Sequence, residues 1–409
     1  MLSAGVASLG SVWVAQAKDH TELHAEQASS GYERAVLEIV EFIKSGNLSA
    51  AQTRVDKHLQ QFPKSRVGHL LKADILQAMA APLQKVGAKA ETIKMVHDDP
   101  ELPPPSEVVK GLKHQLQNRW SHAREADQQA HALVPASLID LGQHPHVLVA
   151  DMQQGRLYLY KNEDGAPQLI RDYYLSVGSA GFGKQVEGDN KTPVGVYSIY
   201  RYIDDSELPD LYGEGAFPVN YPNRLDRYRK RTGYGIWLHG TPSNTYARSP
   251  WASEGCFVLS NDDFLDIENY IDVKRRTPVI LSDQIEWVSP QQLAQRRADY
   301  LAVLSQWKQD WESLSTDAYL AHYSENNFNL GRTDYRQWAK RKREVNNRKT
   351  FVQVDMDIKH LFTYPGEQDM FVVKYQQRYL SNNYQGVAEK EQYWQRDANS
   401  GRWQIIYEG

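Results

Sequence analysis

Apolar residues recur at three- and four-residue steps along the first third of the chain and at alternate positions through much of the remainder. Between residues 30 and about 135 the spacing is helical, with no convincing strand. Ala35, Leu37, Ile39, Val40 and Ile43 form one stripe that Gly46-Asn47 stops. A second helix is predicted over 49–62, ended by Pro63, and a third over 67–79. The stretch 97–105, which holds Pro100, Pro103, Pro104 and Pro105, is expected to be a loop.

From about His146 the period changes to two. Val147-Leu148-Val149-Ala150 and Arg156-Leu157-Tyr158-Leu159-Tyr160 flank Gln153-Gln154-Gly155, which reads as a hairpin. Further strands are predicted over 171–177, 195–200, 235–238, 256–259 and 278–281, with one helix over 262–270. Helical spacing returns with Leu293, Tyr300, Leu301, Leu304, Trp307 and Trp311, then Tyr319, Leu320 and Tyr323. Long strands follow over 350–358, 370–379, 389–396 and 403–407. The Trp and Tyr residues keep these periods, so they are assigned to the core rather than to ligand stacking. The fold class is multidomain α+β: a leader at 1–17, a helical domain at 18–140, a mainly β domain at 141–284 and an α+β domain at 290–409. The pair of helices broken at Gly46-Asn47-Leu48 resembles one tetratricopeptide-like hairpin, without a repeat to extend it. That domain is read as a surface for a protein partner or for self-association.

Composition narrows the classes. The 409 residues carry 47 basic and 51 acidic side chains, a net charge of −4, which argues against a nucleic-acid binder. No apolar run reaches the length of a membrane span. The residues up to Ala15-Gln16-Ala17 are small and apolar and end like a signal-peptidase site, although a basic start is missing. Such a leader directs the chain to the periplasm. There is one cysteine, Cys256, so neither an internal disulfide nor a multi-thiolate zinc cluster is available. A lone thiol kept in an oxidising compartment is either used or shielded.

The candidate chemistry surrounds that thiol. His239-Gly240-Thr241-Pro242 closes a predicted strand, and Ser253-Glu254-Gly255-Cys256 opens another seventeen residues after His239. A thiol attacks as thiolate, and a neighbouring imidazole can take its proton and return it to a leaving amine. Gly255 lets the backbone turn so that amide groups near Cys256 face a developing oxyanion.

His-Gly-Thr followed at this spacing by Ser-x-Gly-Cys resembles the L,D-transpeptidase catalytic domain, the YkuD-like fold. The segments Gly188-Asp189-Asn190-Lys191-Thr192-Pro193-Val194-Gly195-Val196-Tyr197 and Phe217-Pro218-Val219-Asn220-Tyr221-Pro222-Asn223 agree with it, over roughly 145–283. The resemblance implies a thioester between Cys256 and the L-centre of a peptidoglycan stem peptide, with His239 as base and acid. It implies an oxyanion site at Gly255 and Cys256, shaped by Ser253 and Gly240, and no metal, cofactor or nucleotide. The C-terminal segment resembles an NTF2-like domain. The pair of domains is similar to cell-shape L,D-carboxypeptidases of helical bacteria, which hydrolyse rather than cross-link. Many family members place Arg two residues after the Cys, where this chain has Val258. The acceptor, amine or water, therefore stays open. A catalytically inactive cell-wall-binding scaffold is a third reading, against which the intact His239 and Cys256 argue.

Arg224, Arg227, Tyr221 and Lys191 are candidate substrate-binding residues, because Arg pairs bidentately with carboxylates. Three other features are set aside. Residues 178–185 nearly spell a phosphate-binding loop, but Gln185 stands where Ser or Thr is needed and Gly188 and Pro193 deny the helix. A substrate-side loop that moves is expected there instead. His20 and His24 lack the flanking Glu of a zinc helix, and the run 340–343 is expected to be a solvated helix face.

Overall fold

The computed structural model describes residues 31–80, 105–129, 133–328 and 334–409. The expected leader, the His20/His24 pair and residues 97–104 of the expected loop lie outside them.

Three helices come first: α1 (Gly31–Lys44), α2 (Leu48–Gln61) and α3 (Arg66–Ala80). Their apolar stripes meet in one core of Val36, Ile39, Ile43, Val55, Leu71 and Ile75. Asn47 caps α2 by accepting from Ala50 N at 3.2 Å. Helix α4 (Pro105–Gln129) lays Leu112, Leu116 and Trp120 on the same core. Pro105, expected in the loop, belongs to this helix, at an end where proline is tolerated.

The central domain is built from β1 (Val134–Pro135), β2 (His146–Asp151), β3 (Arg156–Glu163), β4 (Ala166–Tyr174), β5 (Val177–Gly178), β6 (Gly195–Ser198), β7 (Ile203–Asp204) and β8 (Gly215–Pro218). It continues through α5 (Arg224–Tyr228), β9 (Trp237–His239), β10 (Trp251–Ser253), β11 (Phe257–Val258), α6 (Asn261–Glu268), β12 (Pro278–Ser282) and β13 (Trp287–Val288). One sheet has the order β4-β3-β2-β12-β6 and a second the order β11-β9-β8-β7. Strand β10 lies parallel to β5, and β1 pairs with β13.

The alternation along β2 and β3 buries both faces of the first sheet. Leu148, Ala150, Leu157 and Leu159 point into a core shared with Phe217, Leu238 and Phe257 of the second sheet. Val147, Val149, Tyr158 and Tyr160 point the other way, against Phe362, Met370, Val372 and Tyr393 of the C-terminal domain. Each such side chain contributes about 1.5–3 kcal/mol by leaving water. The two domains therefore share a core rather than a linker.

The C-terminal domain comprises α7 (Pro290–Glu312), α8 (Thr316–Leu320), α9 (Tyr335–Asn346) and an antiparallel sheet of β14 (Val352–Thr363), β15 (Met370–Ser381), β16 (Tyr384–Arg396) and β17 (Trp403–Glu408). Ser289 and Gln292 form a capping box that starts α7. Trp307, Trp311, Tyr319, Tyr323, Trp338 and Trp394 are all core residues, as their spacing predicts. Within the basic run Lys340, Arg341 and Arg343 are exposed as expected, whereas Lys342 is only partly so. Its ammonium lies 5.5 Å from the Trp311 ring centre and 5.4 Å from that of Trp338, and burial lowers its pKa.

The helical layer is tied to the central domain by buried charge. Glu33 of α1 forms a bidentate pair with Arg156 of β3, and Arg119 of α4 lies 3.4 Å from the same carboxylate. Asp172 of β4 accepts from Arg156 at 3.3 Å and faces His122 of α4 at 2.6 Å. Beside this cluster the ring of Tyr32 stacks on Tyr246 at 3.9 Å.

Candidate active site

The parallel pairing of β11 with β9 sets Val258 opposite His239 and Phe257 opposite Leu238. Cys256, immediately before β11, therefore emerges beside the strand that ends in His239. The His239 side chain is buried, and its Nδ1 lies 2.7 Å from the Gly240 carbonyl oxygen. A carbonyl only accepts, so Nδ1 carries the proton and Nε2 keeps a free lone pair. Burial, reinforced by the Arg248 guanidinium, pushes the imidazole pKa down to about 3 despite that hydrogen bond, so the ring is neutral near pH 7.

Cys256 is half-buried, and its thiol donates to the Gly235 carbonyl at 3.4 Å. Burial pushes the thiol pKa up to about 11, while the Trp237 backbone N–H and Arg248 oppose that rise. The resting state is thus a neutral thiol beside a neutral imidazole. Among the described residues no hydrogen bond joins Sγ to His239.

The turn before the thiol is fixed from both sides. Ser253 Oγ accepts from Gly255 N at 3.2 Å and donates to the Cys256 carbonyl at 2.6 Å. Gly255 has φ of 125°, and a Cβ there would stand 2.9 Å from the Lys191 carbonyl oxygen. Only glycine fits. The Gly255 N–H donates to Ser253, and the Cys256 N–H makes no hydrogen bond among the described residues. Gly240 shapes the other side, where a Cβ would meet Asn261 Oδ1 at 2.2 Å and its N–H donates to Tyr212 O at 3.0 Å.

The candidate substrate residues divide. Lys191 flanks the Gly255 turn through its backbone. Tyr221 is buried, its hydroxyl donating to Thr232 O at 2.9 Å, so it supports the fold. Arg224 and Arg227 line a cavity whose lining includes neither Cys256 nor His239, and Arg224 pairs with Glu391 at 3.3 Å. Their closeness in sequence to His239 does not carry over into space, because α5 packs toward the C-terminal sheet.

Arg248 was not anticipated. It is anchored by hydrogen bonds to Leu211 O at 3.1 Å and Ala252 O at 3.4 Å, and its charge acts on both His239 and Cys256. Tyr212 adjoins the same group, its ring centre 5.0 Å from that of His239. The only sequence signal for Arg248 is its place on the connection between the His239 and Cys256 strands. The segment 178–185 is followed by a strand rather than a helix; Lys184 is buried and donates to Asp189 at 2.7 Å, and Gly183 N donates to Thr192 O at 2.8 Å. No group of three or more metal-ligating side chains occurs among the described residues, and no helix among them is long and apolar enough to cross a membrane.

Comparison with protein families matches residues 145–281 to the YkuD L,D-transpeptidase catalytic domain and residues 299–409 to the Cds6 C-terminal NTF2-like domain. The chain carries a YkuD catalytic domain and an NTF2-like domain. Among curated proteins, YafK of Escherichia coli strain K12 is 28% identical over 120 residues, 29% of this chain. The chain spans only 44% of the length of YafK. Among solved structures, Bd1075 of Bdellovibrio bacteriovorus superposes with a TM-score of 0.59 at 28% identity, covering 68% of this chain and 97% of that one. Pgp2 of Campylobacter jejuni, described as a helical cell shape determining protein, gives 0.57 at 27% identity, covering 67% and 95%. Both similarities cover a larger share of the chain than the YkuD domain alone. The match of residues 145–281 to the YkuD domain supports an enzyme of the L,D-transpeptidase and peptidase class.

Proposed function

We propose that the chain is a peptidoglycan-modifying enzyme of the periplasm that cleaves the bond before the terminal D-residue of a stem peptide through a Cys256 thioester. The observation that carries this reading is the 2.7 Å contact of His239 Nδ1 with the Gly240 carbonyl, which leaves the Nε2 lone pair free on the strand beside Cys256. In the first half-reaction Sγ bonds to the carbonyl carbon of the L-centre while its proton passes to Nε2. The Cys256 N–H faces the developing oxyanion. The C–N bond then breaks, and Nε2 returns the proton to the departing amine of the D-residue. In the second half-reaction the nitrogen of an acceptor amine bonds to the thioester carbon and gives its proton to Nε2, the C–S bond breaks, and Nε2 returns the proton to the departing Sγ. Arg248 supplies a guanidinium for the terminal carboxylate of the stem peptide.

Transfer to water is the second reading. Val258 is buried opposite His239, so the position that holds Arg in many relatives offers no cation here. Incubation with a disaccharide tetrapeptide, followed by mass spectrometry, separates the two: a cross-linked dimer marks transfer, a tripeptide marks hydrolysis, and neither product overturns the proposal. On the productive assay Arg248→Ala is expected to raise KM by roughly tenfold or more, the loss expected for one charge-assisted bidentate contact.

A further inference from the structure

Arg224 and Arg227 face a cavity of about 760 Å³ between the YkuD domain and the NTF2-like sheet. Cations converge on it from three directions. The two arginines come from α5, Lys274, Arg275 and Arg276 from the loop before β12, and Lys359, Lys374 and Lys390 from β14, β15 and β16. Against these eight the lining offers two carboxylates, each already engaged: Glu389 with Lys374 at 2.8 Å and Glu391 with Arg224 at 3.3 Å. Lys359, Arg275 and Lys390 pair outside the lining, with Asp357 at 2.8 Å, Asp272 at 3.6 Å and Glu408 at 4.0 Å. Arg227, Lys274 and Arg276 form no ion pair among the described residues. The chain as a whole has a net charge of −4, so this is a local concentration and not a general excess.

The floor of the cavity holds His144 and His360, with Nε2 of the first 3.2 Å from Nδ1 of the second. Burial, with Lys374, Arg275 and Lys359 adding to it, lowers His144 to about 4, and burial with His144 and Lys374 lowers His360 as well. Both rings stay neutral at pH 7, as expected where the surrounding potential is strongly positive. Asn220, Asn223 and Ser198 add polar groups, and the only aromatic side chain besides the histidines is Tyr197, which is buried. No exposed ring is present there on which a base or sugar could stack.

We infer that this interdomain cavity binds a phosphomonoester or diphosphate group. Converging guanidinium and ammonium donors suit a tetrahedral multivalent anion, which accepts from several sides, better than a planar carboxylate that one guanidinium edge saturates. The inference does not rest on the peptidase reading, since neither His239 nor Cys256 lines the cavity.

Calorimetric titration of the full chain with inorganic pyrophosphate, inorganic phosphate and citrate tests it. Saturable binding is expected, tightest for pyrophosphate and weakened by added salt. The Arg227→Gln/Lys274→Gln double variant alters two exposed, unpaired side chains, and with unchanged circular dichroism it is expected to lose roughly tenfold or more in affinity. Cosedimentation with phosphatidylcholine vesicles containing or lacking phosphatidic acid identifies the source. Capture by phosphatidic acid points to a lipid headgroup, and pyrophosphate binding without capture points to a free ligand. No saturable pyrophosphate binding, citrate binding as tightly, or an unaffected double variant would each overturn the inference.

Discussion

Replacing Cys256 by alanine is expected to remove release of the terminal D-residue by at least about 10⁴-fold, because the reaction loses its covalent intermediate. His239→Ala is expected to cost about 10²–10⁴-fold, the usual contribution of a positioned base. The double variant should be no slower than Cys256→Ala, since both groups act in one proton transfer. Circular dichroism of Cys256→Ala should match the parent: Cys256 is half-buried, and its thiol meets only the Gly235 carbonyl and the Trp237 N–H. With the thiol pKa at about 11, only about one thiol in 10⁴ is ionised at pH 7. Alkylation of the free protein by iodoacetamide should therefore be slow at neutral pH and rise about tenfold per pH unit toward pH 11. His239, at about 3, should leave no titration in that profile between pH 5 and 8. Fast alkylation at pH 7 with a break near pH 6 would mean a preformed thiolate–imidazolium pair and would remove the neutral resting state.

The turn before Cys256 was legible because its requirements are local. Gly255 needs a positive φ, His239 ends a strand, and both facts are written in a few adjacent residues. The alternation along β2 was legible too, but not its meaning. Val147 and Val149 read as one face of a strand, and only the C-terminal sheet reveals that both faces are covered. Residues that act through tertiary placement were missed or misread. Arg248 sits in a connection without periodicity, and its effect on Cys256 exists only once β9 and β11 lie side by side. Arg224 and Arg227 precede His239 closely in sequence, yet α5 turns them toward β16, where Glu391 was invisible to any local pattern. Lys342 shows the same limit: a basic run predicts a solvated face, and nothing local announces that Trp311 and Trp338 lie beneath one of its members.

The second large effect concerns stability. Glu33→Ala is expected to destabilise the docking of α1–α4 on the central domain by about 3–5 kcal/mol, because among the described residues it leaves buried Arg156 with Asp172 alone and buried Arg119 with no carboxylate partner. Burial raises the Glu33 pKa, but Arg156 and Arg119 outweigh it and hold the carboxyl at about 2. A depressed carboxylate contributes stability that is complete above its unfolded value of 4.5 and is lost as pH falls through about 2. The stability difference between the parent and Glu33→Gln should accordingly be constant from pH 7 to 5 and shrink between pH 4.5 and 2. Limited proteolysis supplies the local readout: cleavage within α1–α4 should accelerate in the alanine variant while the β-rich core persists. The consequence reaches the active site through Tyr32, adjacent to Glu33 and stacked on Tyr246 in the connection that leads to Arg248. Loosened helices free that connection, so KM should rise in Glu33→Ala even where circular dichroism of the central domain is unchanged. An alanine variant as resistant to protease as the parent would show that the helical layer is held by its apolar contacts, with the charge cluster contributing little.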